Sequence, residues 1–347
     1  MTERPVPVPV IERAAAERPP LTWRPLRPAD VPELHVLVAA AERADGERFP
    51  ATVSDLEHEL TAPAVDLERD TIAAEGVDGR LLGWGRLELR TGATWNRIHV
   101  FGDVHPDVRR HGLGTAVLGW AERAAGVLFD ARAGELDPAL PYILTAHASE
   151  TAESRARLQE RCGFSVVRYF NDMLRPLDQP IPERPLPDGY RFVAWSPELD
   201  PAFRETHNAA FADAWGAAHV DAERWNHEFA DDPGFRPDLS LGVMAGDELV
   251  GYVMVGAWEG LTDDAGLQVA WLALVGVRRE HRGRGVASAA IARTLHAIRD
   301  AGYATAGLDV DTENLGGASR LYEGLGFLPV KRLALRAKSV IGPGRAR

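Results

Sequence analysis

The feature that most restricts what this 347-residue chain can fold into is an internal repeat. The segment DVHPDVRRHGLGTAVLGWAERA (103–124) matches GVRREHRGRGVASAAIARTLHAI (276–298) in type: a β-branched strand end, a basic turn with two glycines, then helical periodicity. Downstream, RLQERCGF (157–164) echoes RLYEGLGF (320–327). Arg282 follows Arg109 by 173 residues and Gly326 follows Gly163 by 163, so the order of the two blocks is kept while their spacing differs. The first copy therefore carries about ten extra residues, placed in ARAGELDPALP (131–141), where Gly and Pro mark a loop. A chain of this length exceeds what one hydrophobic core usually serves, so each copy is expected to be a domain.

Between the copies lies PLDQPIPERPLPDG (176–189), whose five prolines disfavour both helix and ladder pairing and read as a linker. In the second copy, WSPELDPAFRETHNAAFADAW reads as helical, with Ser196 or Asp200 as candidate caps. LGVMAG and ELVGYVMVGAW form a hairpin across Gly246-Asp247, and VAWLALVGV (269–277) is a strand. In the helix that follows, Ala287, Ala290, Ile291, Leu295 and Ile298 share one face, as a helix lying on a sheet requires. The expected class is α/β in a mixed α+β layer arrangement, built twice. The expected divisions are a flexible tail at 1–19, domains at 20–175 and 189–340, a Pro-rich linker at 176–188 and a C-terminal tail at 341–347.

Composition narrows the function. A net charge of -12 opposes nucleic-acid binding, which needs an electropositive footprint, and suits a cationic small molecule. The apolar runs are too short to span a bilayer and the N-terminus lacks the apolar core of a secretory signal, so the expected location is cytoplasmic, with no membrane partner. A single cysteine, Cys162, excludes an intramolecular disulfide and a cysteine-built metal site.

The turn Arg282-Gly283-Arg284-Gly285-Val286-Ala287 joins a buried strand to a helix. Its glycines allow positive φ and a close ligand approach, while the helix start offers unpaired N–H groups and a partial positive charge. That combination binds pyrophosphate, and Arg278, Arg279, Arg282 and Arg284 supply donors suited to phosphate oxygens.

With these residues in place, the chain resembles the GNAT superfamily of N-acetyltransferases. Its coenzyme A loop signature, Q/R-x-x-G-x-G/A, is matched by Arg282, Gly285 and Ala287, and again by Arg109, Gly112 and Gly114. Its closing signature is matched by Asn314 and by Leu321-Tyr322-Glu323-Gly324-Leu325-Gly326-Phe327. The tandem arrangement, with HNAAF (207–211) and LVGV (274–277), looks most like the mycothiol synthase group.

The resemblance implies two tandem GNAT folds, each a central, mostly antiparallel mixed sheet flanked by helices. It implies acetyl-CoA as cofactor, held by Val275, Val277, Arg282, Gly283, Arg284, Gly285, Val286, Ala287 and Asn314, with Arg109, Gly112 and Gly114 in the first copy. It also implies Tyr322 as the acid for the departing thiolate, a phenol being protonated at neutral pH. The first copy has Gln159 there, and Thr151 in place of Asn314, so it is expected to be degenerate, although His99, Asp103, His105 and His147 are basic groups it offers. For the general base, relatives place a Glu where this chain has Trp271; Asp311 is the choice, with Asp309 and Glu259 as alternatives. The expected activity is acetyl transfer to a primary amine of a small molecule in a ternary complex, by a monomer or homodimer, with a protein or peptide acetyltransferase or a silent acyl-CoA sensor as the competing readings. Phe211, Trp215, Trp225, Phe229 and Trp258 are expected to line or support the acceptor pocket.

Overall fold

A computed structural model describes residues 20–340 except 48, 93, 264 and 314–316. Both tail assignments lie outside the described residues. The chain divides into two compact units: Met1–Val167 with Ala334–Arg347, and Arg168–Leu333.

In the first unit the order is β1 (Leu21–Arg24), α1 (Val31–Asp45), α2 (Val53–Leu60), α3 (Leu67–Asp70), β2 (Thr71–Gly76), β3 (Leu81–Thr91), β4 (Asn96–Phe101), α4 (Leu113–Ala131), β5 (Tyr142–Ser149) and α5 (Glu153–Arg161). Strands β1 to β4 pair antiparallel in sequence order, and β4 then pairs parallel with β5. Helix α4 buries Val117, Trp120, Ala121, Ala124, Ala125, Leu128 and Phe129, the i, i+3, i+4 stripe its sequence promised. Gly85 on β3 makes room for it, since a Cβ there would sit 2.9 Å from Val117 and 3.2 Å from Trp120.

The second unit begins within β6 (Ser165–Pro176) and continues through β7 (Tyr190–Ala194), α6 (Asp200–Phe211), α7 (Ala222–Trp225), β8 (Leu241–Ala245), β9 (Glu248–Gly256), β10 (Val269–Val277), α8 (Val286–Asp300), β11 (Thr305–Asp311), α9 (Ala318–Glu323) and the start of β12 (Leu328–Ser339). Strands β7 to β10 are antiparallel neighbours, β10 and β11 are parallel, and β11 is antiparallel to β6. The hairpin turns at Gly246, in the left-handed region at φ 60°. Ile291, Leu295 and Ile298 of α8 are fully buried against the sheet, each contributing roughly 1.5–3 kcal/mol of apolar burial.

The two parallel pairs bear out the repeat. Asn96 pairs with Tyr142 and Val269 with Thr305, the same register shifted by the offsets already seen in the sequence. The last strands depart from a simple sequential reading. Arg168–Pro176 belongs to the second unit, where seven residues from Phe170 to Pro176 pair with β11, and residues 334–339 of β12 belong to the first, where the Val340 amide donates to Tyr142. Apolar strands left bare would recruit other chains, and this exchange pairs them.

Helix α6 also differs from its expected form. It ends at Phe211 rather than continuing to Trp215, and its N-cap position is Leu199, with no side-chain cap. Asp200 instead anchors two rings, its carboxylate accepting the indole N–H groups of Trp195 (3.1 Å) and Trp225 (3.0 Å). No helix among the described residues is long and apolar enough to cross a membrane.

Candidate active site

Strands β10 and β11 are hydrogen-bonded only over Val269–Trp271 and Thr305–Gly307. Beyond that point they part: β10 continues along β9 to Val277 while β11 continues along β6 to Asp311. A register shift between Leu272 and Leu274 marks a bulge in β10 at the parting. The edge carrying Val275 and Val277 is thus free of a strand partner on its β11 side, and it leads directly into the glycine turn.

That turn has the anticipated backbone. Gly283 and Gly285 lie in the left-handed region at φ 72° and 86°, Gly285 is the N-cap of α8, and no acidic residue occupies the first helical turn. Nothing lies within 4 Å of a Cβ built on Gly283. Val286 is buried beneath, Ala287 follows on the same turn, and Arg284 is exposed with its guanidinium 3.4 Å from the Tyr190 hydroxyl. The first copy repeats the conformation, with Arg110 at φ 68° and Gly112 at φ 89°, so a non-glycine residue adopts a rare conformation to keep the shape. Gly114 is required there for another reason, since a Cβ would overlap Leu158.

Both motif arginines are engaged by groups of the protein itself. Arg282 donates to the carbonyls of Val277 and Ala210 and pairs with Asp213 at 3.0 Å. Arg109 donates to the carbonyls of Val104 and Ala41 and pairs with Asp45 at 2.5 Å. In both units the guanidinium therefore ties the turn to the end of the unit's long N-terminal helix. Arg278 is likewise held, by the Leu249 carbonyl and Glu248.

Tyr322 on α9 is 8% exposed. Burial, reinforced by the charge of Asp309, raises its phenol pKa, which keeps it protonated and fit to donate. Asp309 is exposed along the parted edge, yet it is closely surrounded: desolvation raises its pKa, while a hydrogen bond from Trp271 pulls it down. The Trp271 ring lies over Gly307. Where relatives are expected to carry a Glu on β10, this chain thus has an indole that hydrogen-bonds a carboxylate on β11. Asp311 is differently placed: Arg168 grips both its oxygens at 3.0–3.1 Å, and it accepts from the Glu313 amide. Glu259 is exposed in a turn, and Asn314 lies outside the described residues.

In the first unit the corresponding space is differently furnished. Its β4 pairs with β3 over six consecutive residues with no bulge. Arg155 on α5 reaches the carbonyl of Gly102 (2.9 Å) and pairs with Asp103 and Asp45, spanning from helix to strand end. Gln159 donates to the His147 carbonyl at 2.9 Å, and Thr151 bonds Ser149. His99 sits between Thr145 and His147, burial and His147 lowering its pKa well below the usual value. Asp103 also accepts from Trp84, and His105 from the Asp107 amide.

Of the aromatic residues expected at an acceptor pocket, Trp225 is fully buried on Asp200, and Trp258 donates to Asp232 and covers Gly234 and Gly256. Phe211 and Phe229 flank His207, and Trp215 stacks under Arg168.

The model of the "Acetyltransferase (GNAT) family" matches residues 200–327. A protein of Thermomonospora curvata named mycothiol acetyltransferase is 30% identical over 303 residues, covering 85% of this chain and 90% of its own. The chain belongs to the GNAT acetyltransferase family. A second mycothiol acetyltransferase, from Salinispora arenicola, is 29% identical over 311 residues, covering 87% of this chain and 91% of its own. Among solved structures, a GCN5-related N-acetyltransferase from Sphaerobacter thermophilus superposes with a TM-score of 0.71 at 27% identity, over 94% of this chain and 98% of that one. A tandem GNAT protein from the clavulanic acid biosynthesis pathway shares the fold, with a TM-score of 0.68 at 21% identity over 94% and 100% of the two chains. The GNAT match covers the second unit's parted strands, glycine turn and α9. The Trp271–Asp309 contact and the Arg155 bridge leave no mark in the sequence pattern, because both depend on which face of a strand or helix turns inward.

Proposed function

We propose that the second unit transfers an acetyl group from acetyl-CoA to a primary amine of a small molecule, by direct attack in a ternary complex. The observation that carries this reading is the free edge of β10, continuous with the Gly283–Gly285 turn and the start of α8. The turn suits a pyrophosphate: its left-handed glycines leave open space, and the helix start presents N–H groups and positive charge with no nearby acid. Val275 and Val277 would offer strand-like backbone hydrogen bonds to the pantetheine arm, and Gly283 to Ala287 would hold the phosphates, with the Arg282 side chain bracing the turn. Bound acetyl-CoA supplies the activated thioester.

The protein's own groups then divide the work. Backbone at the β10 bulge polarises the acyl carbonyl. Asp309, on the parted edge, receives the proton leaving the ammonium through water, and Tyr322 donates to the departing sulfur. The acidic chain suits a cationic acceptor, and the likeness to mycothiol acetyltransferases supports a small one. In the first unit, Arg109, Gly112 and Gly114 keep the turn, but Arg155 bridges the space beside it and Gln159 replaces the acid. We assign it no turnover.

Gly285→Asp places a carboxylate where a phosphate is expected, on a backbone at φ 86°. Calorimetry with coenzyme A should show affinity lowered by about 10²-fold or more, as expected from the loss of several charge-assisted bonds. Unchanged affinity removes the pyrophosphate assignment.

A further inference from the structure

We infer that the first unit does not take up coenzyme A, because the Arg155 side chain fills the strand parting along which the pantetheine arm would run. The inference rests on the reading of the second unit's parted edge as the pantetheine path, and it sets aside the expectation that Arg109, Gly112 and Gly114 hold a second coenzyme A.

The two copies correspond residue by residue at this point. By the offset of the glycine turns, Gly102 stands where Val275 does and Asp103 where Gly276 does; by the offset of the closing helices, Arg155 stands where Ala318 does. Strand pairing gives the same correspondence. Val104 lies opposite Gly83, just before Trp84, as Val277 lies opposite Gly251, just before Tyr252. Like β10, β4 parts from its parallel neighbour: the two pair only over Asn96–His99 and Tyr142–Thr145, and both strands run on.

Arg155 passes through that parting. Helix α5, which carries it, lies beside α4, where Leu158 meets Gly114. Asp103 is on the opposite face of the sheet, where its carboxylate accepts the indole N–H of Trp84, a member of the core built by α1 and α2. The guanidinium crosses from one face to the other: it pairs with Asp103, donates to the Gly102 carbonyl at 2.9 Å and reaches Asp45, at the end of α1, at 3.3 Å. The backbone acceptor that corresponds to Val275 is therefore already taken. Arg109 also pairs with Asp45, at 2.5 Å, so two guanidiniums and two carboxylates balance in a closed network. Asp45 is buried, and drawing Arg155 aside would strip it and Asp103 of a partner in a space largely shut from water. The second copy has neither half of the bridge, since glycine replaces the aspartate and alanine the arginine. The first unit keeps a turn shaped for phosphate, with Arg110 and Gly112 at positive φ, but its residues do not fit the rest of coenzyme A.

Calorimetric titration of the full chain with coenzyme A decides between one site and two by stoichiometry, with no acceptor needed. The unaltered protein should bind one equivalent, and Gly285→Asp should leave no site of comparable affinity. Arg155→Ala combined with Asp103→Gly, which copies the second unit, should add an equivalent that survives Gly285→Asp, with the melting temperature showing that the chain is folded. Should that variant not fold, the stoichiometry of the unaltered chain still decides. Two equivalents on the unaltered protein, one of them removed by Gly285→Asp, would overturn the closure and leave the reading of the second unit standing. A single equivalent that survives Gly285→Asp and is lost in Gly112→Asp would overturn both. A folded double variant that gains no site would overturn the role given to Arg155.

Discussion

Burial decides the charge of the single residues that matter most in this chain, and Glu42 shows it outside the cleft. Its carboxylate accepts the Ala51 amide at 3.2 Å, yet burial, with Asp103 and Glu47 adding, pushes its pKa up to about 7. A carboxyl whose folded pKa is raised supports the fold below its ordinary pKa and loses that support as pH rises toward the folded value. Glu42→Gln should therefore raise the melting temperature at pH 8 by roughly 2–4 °C, about what 1 kcal/mol gives a domain of this size, and do little at pH 5. Scanning calorimetry at the two pH values checks this, and equal shifts at both would deny that the carboxyl is uncharged in the folded state. His207 has the opposite sign: its lowered pKa costs stability only below about pH 6.5, where the unfolded chain takes up the proton first.

At the scale of elements, the glycine turns and their braces are the repeated device. Arg282 and Arg109 each hold a carbonyl just before the turn, a carbonyl in the last turn of the long helix and an aspartate, so the turn is tied to that helix. Arg282→Gln should lower stability by about 1–2 kcal/mol, the worth of such charged hydrogen bonds, while coenzyme A affinity stays within about threefold. A tenfold or greater loss of affinity in calorimetry, with stability intact, would return the guanidinium to the phosphate. Much at this scale was legible in the sequence. The strand at 269–277, the hairpin at Gly246 and the glycine turn follow from periodicity and backbone chemistry alone. What was hidden depends on side-chain direction. Nothing in the pattern says that Asp311 faces Arg168 while Asp309 faces Trp271, or that Asp200 serves two indoles instead of a helix end.

Across the whole molecule, the repeat announced two units, but not where each one stops. Strand pairing between residues far apart leaves little local trace, so the transfer of Arg168–Pro176 to the second unit and of residues 334–339 to the first could only be seen in three dimensions. One consequence reaches the site. Arg175, in the transferred segment, is buried and donates to the carbonyls of Leu325, Pro176 and Pro180, fixing the end of the helix that carries Tyr322. We propose that acetyl transfer takes place in the second unit with Tyr322 as the acid. Amine-dependent release of thiol from acetyl-CoA by Tyr322→Phe and by Gly112→Asp tests it most directly. Tyr322→Phe should lose roughly 10²-fold or more in kcat with coenzyme A affinity retained, while Gly112→Asp should turn over close to the unaltered rate. Full activity in Tyr322→Phe together with loss of turnover in Gly112→Asp would place the chemistry in the first unit and contradict it.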